Sequence, residues 1–416
     1  MGEPVSGNEY CSEPTMRTTW TFHSAGTLCF GQNAVAQLGE IARRLAAQRV
    51  LIVTDQILVR AGLLEKLCAP LREAGIAYDV FDGGAPEPSI ALAEDCVAFA
   101  RRSSPQALIG LGGGSNMDLA KIVATVLAHG GDCRSYLGDD QIPGPVLPLI
   151  CVPTTAGTGS EVSASSVLTD TERQMKVGVL SNFLRPAAAV VDPLLTLSCP
   201  PKVTADSGID ALTHAIEAYT AVDNEEFPLP PGERSAYQGR NPFGDMVAEK
   251  AIRLIAANLR QAVADGGNLP AREAMALGAT LGGMAFSNVG VAAVHALEYP
   301  IGGAVHCSHG AGNGCLLPYV MRFNLPARVP HFARIAGFLG ENTAGLSELD
   351  AANLGIAAIE QLKQDIGIPA RLRDLHVTPE QLPVFAEKAF AVKRIMRVNP
   401  RAATVAELEE ILRSAW

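Results

Sequence analysis

The chain has 416 residues, of which 48% are hydrophobic and 18% are charged, and its formal net charge at pH 7 is -10. We expect neither a nucleic-acid partner, because basic residues are scattered in an acidic chain, nor a membrane span, because no stretch approaches ~18 uninterrupted apolar residues. The nine cysteines lack a C-x-x-C pair, which favours reduced thiols and a cytoplasmic location.

The order of predicted elements indicates two domains after a flexible polar extension at residues 1–18. Apolar runs near positions 50, 78, 107, 146 and 187 alternate with amphipathic stretches, which is typical of a parallel α/β sheet. After the break at Cys199-Pro200-Pro201, helical spacing dominates. The sequence therefore predicts a Rossmann-like α/β dinucleotide-binding domain over residues 19–199 and an all-helical metal-binding and substrate domain over residues 200–416.

The first of these runs, Val50 to Thr54, ends in Asp55. A carboxylate at the carboxyl end of such a strand accepts hydrogen bonds from a ribose 2′-hydroxyl and repels a 2′-phosphate. Asp55 therefore favours NAD over NADP as the cofactor. An aspartate in this position is equally typical of a helix N-cap, so both interpretations stay open.

A glycine-rich turn follows the apolar run Ala107 to Leu111 and leads into a helical pattern. Glycines let the backbone approach a phosphate, and the positive end of the following helix favours an anion. This turn lacks the G-x-G-x-x-G order of the common dinucleotide fingerprint. The candidate residues of this pyrophosphate site are Gly112, Gly113, Gly114, Ser115 and Asp118.

A further apolar strand, Val146 to Val152, continues into the segment PTTAGTGSE. Hydroxyl groups and flexible backbone after a buried strand make a plausible cradle for a phosphate or a ribose. The candidate side chains in this segment are those of Thr154, Thr155 and Thr158.

Four side chains of the second half have the types and spacing of metal ligands. Asp210 and His214 are one helical turn apart, so both can bind one ion. His295 and His309 can complete the shell. Three imidazoles and one carboxylate suit Fe²⁺ or Zn²⁺ rather than Ca²⁺ or Mg²⁺. Each residue alone is also compatible with a hydrogen-bonded core position or a helix start, but together they predict one metal site.

Long motifs carry a resemblance to a known family. They are GGGSNMDLAK at 112–121, PTTAGTGSEVS at 153–163, GIDALTHAIEAY at 208–219 and VHALEYPIGGAVHCSHGAGNG at 294–314. From about Thr21 onward the chain resembles the iron-containing (group III) alcohol dehydrogenases of the dehydroquinate synthase-like superfamily. The resemblance implies hydride transfer between NAD(H) and a primary alcohol, hydroxyacid or aldehyde. It also implies a homodimer or larger homo-oligomer.

By this resemblance the four candidate ligands occupy the family's metal positions, and Gly112 to Ser115 occupy its pyrophosphate loop. Asp55, the three threonines and Lys176 fall on its other nucleotide contacts. One departure concerns the proton relay, because Tyr299 stands where many members have a histidine. Tyr299 or His306 is the candidate replacement, and the alternatives are a pocket wall for Tyr299 and a solvated loop residue for His306.

The segment from Ser235 to Asp245 is similar to one in hydroxyacid-oxoacid transhydrogenases, which also carry tyrosine at the position of Tyr299. This similarity indicates an alternative function, hydride exchange between a hydroxyacid such as 4-hydroxybutyrate and an oxoacid with a retained cofactor. Arg240 is then a candidate carboxylate clamp, or else a surface residue. More distant alternatives are a lyase of the dehydroquinate synthase kind and a non-enzymatic binding protein.

Overall fold

A computed structural model describes residues 17–230 and 232–416, so most of the predicted polar extension lies outside the described residues. The amino-terminal part contains nine strands and five α-helices among its described residues. The strands are β1 (Thr27–Phe30), β2 (Arg49–Val53), β3 (Ala77–Phe81), β4 (Ala107–Gly112), β5 (Gly138–Asp139), β6 (Leu149–Pro153), β7 (Ser165–Asp170), β8 (Met175–Leu180) and β9 (Ala188–Val191). The helices are α1 (Leu38–Arg44), α2 (Gln56–Arg60), α3 (Leu63–Glu73), α4 (Ile90–Ser103) and α5 (Gly114–His129).

Six strands form an all-parallel sheet in the order β1-β9-β6-β4-β2-β3. Strands β4 and β6 are buried along their whole length, as expected where helices cover both faces. The chain runs outward from β2 to β3 and then returns past β2 to β4. Ligands of open α/β sheets bind beyond the carboxyl ends of strands at such a reversal, and here Asp55 and Gly112 stand at these ends.

A second, three-stranded sheet has the order β5-β8-β7. Strands β7 and β8 form an antiparallel pair in which Thr169 lies opposite Lys176. The backbone of Val167 in β7 donates to Asp118 Oδ2 of α5 over 2.9 Å. The small sheet is thereby fixed beside the helix that follows the glycine turn.

Beyond Val191 the described residues form helices and loops without a further strand. The most extensive hydrophobic cluster of the described residues lies almost wholly in this part. Its helices are α6 (Pro201–Thr220), α7 (Pro242–Ala264), α8 (Leu269–Val289), α9 (Ala293–Val305), α10 (His309–Phe338, kinked at Arg328), α11 (Glu348–Asp365), α12 (Leu382–Ala391), α13 (Lys393–Met396) and α14 (Val405–Ala415).

The helical part closes directly onto the loop that follows β6. A Cβ atom added at Gly283 of α8 would lie 2.6 Å from the Gly159 Cα atom, so no larger residue fits without a shift. Gly159 itself has φ of 62°, a conformation that favours glycine. This contact holds the segment PTTAGTGSE (residues 153–161, the threonine-rich segment) against α8. A cleft lies between the sheet and the helices.

Within the described part of the chain, no single helix has the length and apolar composition to cross a membrane. Helices α8 and α9 meet these criteria only as a pair, which is bent by 102°.

Candidate active site

A cavity lies in the cleft between the sheet and the helices. One wall comes from the glycine turn and the threonine-rich segment, and another comes from β7 and β8. The opposite wall comes from α6, α9 and α10. The cavity therefore brings together most of the predicted nucleotide and metal residues. Those that line it are Gly114, Ser115, Asp118, Thr158, Lys176, Asp210, His214, His295 and His309, and the candidate relay residue Tyr299 lines it as well.

Three of the predicted metal ligands converge at this cavity. Asp210 is buried on α6, His295 is buried on α9, and His309 begins α10. Their ligand atoms all lie within 4.8 Å of one another. His295 Nε2 is 3.8 Å from Asp210 Oδ1, and His309 Nε2 is 3.9 Å from the same oxygen. Two imidazoles and a carboxylate from three helices can thus bind one ion.

His214 lies beside this group but outside the 4.8 Å set. Its Nδ1 atom is 4.0 Å from Asp210 Oδ2, and its ring stacks on those of His295 and Phe286. The Nδ1 atom is buried and has no hydrogen-bond partner among the described residues. Burial lowers the pKa of His214 to about 3, so the ring is neutral at pH 7 and has a lone pair available for a metal.

Two buried carboxylates orient the other imidazoles. Glu217 Oε2 is 2.5 Å from His295 Nδ1, and Glu298 Oε2 is 2.5 Å from His309 Nδ1. A carboxylate bonded to Nδ1–H fixes the tautomer in which Nε2 carries the lone pair for a metal. Sequence analysis missed both glutamates. Each follows a candidate histidine by three residues, but each orients a histidine of a different helix.

Asn313 of α10 marks the point where the ligand atoms converge. Its Nδ2 atom is 2.7 Å from Asp210 Oδ1, 3.1 Å from His295 Nε2 and 3.2 Å from His309 Nε2. Three acceptors therefore face one donor, while Asn313 Oδ1 is buried without a partner among the described residues. A divalent cation satisfies the same three lone pairs, so the residues present fit an iron or zinc ion.

The electrostatics of the group also fit a cation. Burial alone would raise the pKa of Asp210, but interactions with the protonated forms of His214, His309 and His295, together with the hydrogen bond from Asn313, lower it to about 2. Asp210 is therefore an anion at pH 7. An ionised carboxylate in a buried site requires positive charge nearby, which a divalent ion supplies.

The ammonium group of Lys176 lies next to His309 and is paired with two carboxylates of the protein. Its Nζ atom is 2.9 Å from Glu298 Oε1, 2.9 Å from Glu87 Oε1 and 3.2 Å from His309 Nδ1. Burial would lower its pKa, yet the two carboxylates raise it. The resemblance assigns Lys176 to the nucleotide. In the structure this residue lines the cavity, and its ammonium group also supports the glutamate that orients His309.

The predicted phosphate loops lie side by side at the start of α5. Gly113 precedes this helix without a side-chain cap, so the first backbone N–H groups are available for an anion. Thr154 N donates to Gly112 O over 3.0 Å. A Cβ atom at Gly114 would lie 2.8 Å from Thr158 Cγ2, whereas one at Gly113 would meet only Thr155, at 3.6 Å. Gly114 is thus required by protein packing, but Gly113 is not.

The remaining polar residues of this region have protein partners. Asp55 Oδ1 caps α2 by accepting from the N–H groups of Ile57 and Leu58, and Oδ2 accepts from Asn116 Nδ2 over 2.8 Å. The helix-cap interpretation is therefore present in the structure. Ser115 Oγ accepts from Glu87 N at 3.1 Å.

Both carboxylate oxygens of Asp118 accept hydrogen bonds from the protein. Asp118 accepts from Ser160 Oγ at 2.6 Å in addition to its bond from Val167 N. Its carboxylate therefore joins α5 to the threonine-rich segment and to β7, which is an architectural role beside any contact with a nucleotide.

The two candidate relay residues occupy different environments. Tyr299 is buried on α9, and its ring centroid is 6.3 Å from that of His309. His306 is exposed at the C-cap of α9 with φ of 53°, and it is not among the residues that line the cavity. Arg240, the candidate carboxylate clamp, is bonded to Asp223 and Asp245 and lines a separate depression.

The chain was compared with known proteins. The family model for iron-containing alcohol dehydrogenase matches residues 25–193, and the model for the carboxyl-terminal region of this family matches residues 234–416. A 1,3-propanediol dehydrogenase from Citrobacter freundii is 43% identical over 389 residues, which cover 93% of this chain and 96% of that protein.

Solved structures are also similar to this chain in fold and sequence. A 1,3-propanediol oxidoreductase has a TM-score of 0.89 and 41% identity, with coverage of 96% of this chain and 100% of that one. A sulfoacetaldehyde reductase from Bifidobacterium kashiwanohense in complex with NAD⁺ has a TM-score of 0.80 and 30% identity, with coverage of 96% and 99%. The predicted α/β plus all-helical fold class is confirmed. The chain belongs to the iron-containing alcohol dehydrogenase family, and it is a metal- and NAD-dependent oxidoreductase of alcohols and aldehydes.

Proposed function

We propose that the enzyme interconverts a short primary alcohol that carries a second polar group and its aldehyde. The observation that carries the proposal is the convergence of Asp210, His295 and His309 on one point of a cavity that also contains Gly114 and Thr158. The named substrates of two relatives, 1,3-propanediol and sulfoacetaldehyde, are short molecules of this kind. Their similarity to this chain supports a comparable substrate size.

In this proposal Asp210, His214, His295 and His309 hold the ion, and Fe²⁺ is preferred over Zn²⁺ because of the family. When bound, the ion supplies Lewis acidity at the substrate oxygen and the nicotinamide accepts or returns the hydride.

The chain's own groups provide orientation. Glu217 and Glu298 keep the imidazoles of His295 and His309 in the required tautomer. We assign the relay of the alcohol proton to Tyr299. Burial raises the pKa of its hydroxyl above the ordinary tyrosine value, so this group is protonated at pH 7.

The nucleotide is proposed to lie along the glycine turn, with its pyrophosphate at Gly112, Gly113, Gly114 and Ser115. Thr154, Thr155 and Thr158 would contact the phosphate or ribose, and Asp55 would select NAD over NADP. The residues matched by the two family models support a division into two domains, near residue 199. A homo-oligomer and a cytoplasmic location complete the proposal.

The test measures NADH formation by iron-loaded and zinc-loaded protein. We expect turnover of a short primary alcohol or of 4-hydroxybutyrate that depends on free NAD. Oxoacid-driven turnover with 2-oxoglutarate and little free NADH would instead indicate the transhydrogenase alternative.

The variant His295→Ala tests the role of the metal in this reaction. It should reduce kcat by at least about a hundredfold, because a ligand of the Lewis acid is lost, while folding and NADH binding remain. Full activity of this variant after metal removal would contradict the proposal. Circular dichroism and NADH fluorescence serve as the controls for folding and nucleotide binding.

A further inference from the structure

Besides Lys176, the cavity is lined by a second cationic side chain, that of Arg394. Arg394 belongs to the short helix α13, and its side chain is 17% exposed. It lines the same cavity as the three converging ligand residues. Neither the candidate metal site nor the candidate nucleotide site uses this residue.

The charge of Arg394 is only weakly compensated by the protein. Its nearest carboxylate is that of Asp139, with 4.0 Å between Nε and Oδ1. The other oxygen of Asp139 is bound by Arg397 at 2.9 Å and by Ser235 Oγ at 3.2 Å. A guanidinium has five N–H donors, so Arg394 retains donors for a ligand.

The neighbouring cationic side chains, unlike that of Arg394, are paired with carboxylates at short distances. Lys176 is paired with two carboxylates at 2.9 Å each. Arg397 is paired with Asp139 and with Glu233 at 2.9 and 3.0 Å. Among the charged residues that line the cavity, Arg394 is therefore the cation that remains for an anionic substrate group.

The backbone makes space for the guanidinium. A Cβ atom at Gly178 of β8 would lie 2.4 Å from Arg394 Nη2 and 3.4 Å from Nη1, so a larger residue would displace this group. Both terminal nitrogens thus lie close to β8 at the cavity wall. A guanidinium can bind a carboxylate with two parallel hydrogen bonds.

Tyr299 lines the same cavity as Arg394 and the metal-ligand residues. Its ring centroid is 6.3 Å from that of His309. A substrate with its alcohol oxygen at the ligand group can therefore extend past Tyr299 to Arg394. The distance along this path sets the length of the substrate.

We propose that Arg394 is a specificity-determining residue that binds a carboxylate at the far end of the substrate. The preferred substrates are then short ω-hydroxyacids and the corresponding semialdehydes, rather than neutral diols. This inference rests on the proposed function, because it requires the alcohol end of the substrate to lie at the metal ligands.

The test compares 4-hydroxybutyrate with 1,4-butanediol, which has a similar length and no charge. In Arg394→Gln, kcat/KM for the hydroxyacid should fall about tenfold to a hundredfold, mainly through KM, because charge-assisted hydrogen bonds are lost. The value for the diol should change by less than about threefold. Arg394→Lys keeps the charge without the planar fork and should restore part of the loss.

Lys393→Gln is the matched control, since Lys393 is exposed on the same short helix and is not among the residues that line the cavity. It should leave both substrates unaffected. Equal losses for the acid and the diol in Arg394→Gln would overturn the inference and indicate that Arg394 only positions Tyr299. A wild-type preference for the diol would also overturn it.

A binding measurement separates this inference from the proposed function. The complex with NADH cannot oxidise 4-hydroxybutyrate, so its affinity for this acid is measurable without turnover. Weaker binding to Arg394→Gln than to wild type supports the carboxylate site even if neither alcohol is oxidised, an outcome that would count against the proposed function alone. Equal binding to the two proteins overturns the carboxylate site.

Discussion

Glu217 of α6 accepts a hydrogen bond from the Nδ1 atom of His295 on α9 over 2.5 Å. The other oxygen of the same carboxylate accepts from the backbone of Val294 over 2.7 Å. One buried side chain thus fixes both the start of α9 and the ring that this helix carries. The orientation of a predicted metal ligand depends on a residue 78 positions earlier in the chain.

This relationship predicts the effect of Glu217→Gln. The amide keeps the size of the side chain and can still accept from Val294, but it loses the negative charge that holds the His295 tautomer. We expect iron or zinc affinity to fall about tenfold to a hundredfold, as measured by competition with a chelator. NADH binding should not change. Undiminished metal affinity would show that Glu217 has only a structural role.

A second prediction concerns Asp55, which has both a cap role and a proposed ribose role. Asparagine is as good an N-cap as aspartate, so Asp55→Asn should preserve stability while it removes the charge that repels a 2′-phosphate. The ratio of kcat/KM for NADP to that for NAD should rise about tenfold or more. An unchanged ratio would leave Asp55 with the cap role alone.

Gly113 allows a test of the phosphate site without a change in protein packing. An added Cβ atom meets only Thr155, at 3.6 Å, so Gly113→Ala should alter the free energy of unfolding by no more than about 0.5 kcal/mol. If a pyrophosphate approaches this backbone, the methyl group should raise the Kd for NADH about tenfold. Titration of NADH fluorescence gives the answer, and an unaltered Kd would place the phosphate elsewhere.

A fourth prediction concerns stability at low pH. His331 lies in the helical part near Tyr219, and its Nδ1 atom is buried without a partner among the described residues. Burial, together with Arg240 and Arg328, lowers the pKa of His331 to about 4. Between a pH of about 6.5 and this value, the unfolded chain binds a proton that the folded chain does not. Stability should therefore fall as the pH decreases through this range.

His331→Phe removes this linkage and keeps an aromatic ring next to Tyr219. Between pH 7 and pH 5 the wild type should lose about 1 kcal/mol more unfolding free energy than the variant, after allowance for partial exposure of the histidine. Urea unfolding at the two pH values gives the comparison. Equal losses would mean that His331 is protonated in the folded state.

The five apolar runs predicted as strands correspond to β2, β3, β4, β6 and β9. Such strands can be recognised because a parallel strand covered on both faces is a continuous apolar segment. Strand β1 and the β7–β8 pair were not predicted. Thr27–Phe30 is largely exposed at the sheet edge, and both β7 and β8 mix buried with half-buried positions.

Site residues, like strands, could be predicted only where a local sequence pattern revealed them. Asp210 and His214 were recognisable because their spacing places them one turn apart on a single helix. Glu217 and Glu298 gave no such signal, because each orients a histidine of another helix. Asn313 lies one turn after His309 on α10, but its contacts with Asp210 and His295 join it to two other helices. The bonds of the Lys176 ammonium group to Glu298 and Glu87 were not predicted either, because both carboxylates are far from it in the chain.

Sequence alone determined five of the six strands of the large sheet, the helical character of the second part and the chemical types of the ligands, because these depend on short-range periodicity and on local motifs. The tertiary structure decided which carboxylate orients which histidine, which glycine is required by packing, and which arginine faces the cavity. Arg240 and Arg394 have identical chemistry, but two carboxylates hold the first and the nearest carboxylate of the second is 4.0 Å away. The availability of a charge is set by neighbours that are distant in the chain, and packing alone brings them together.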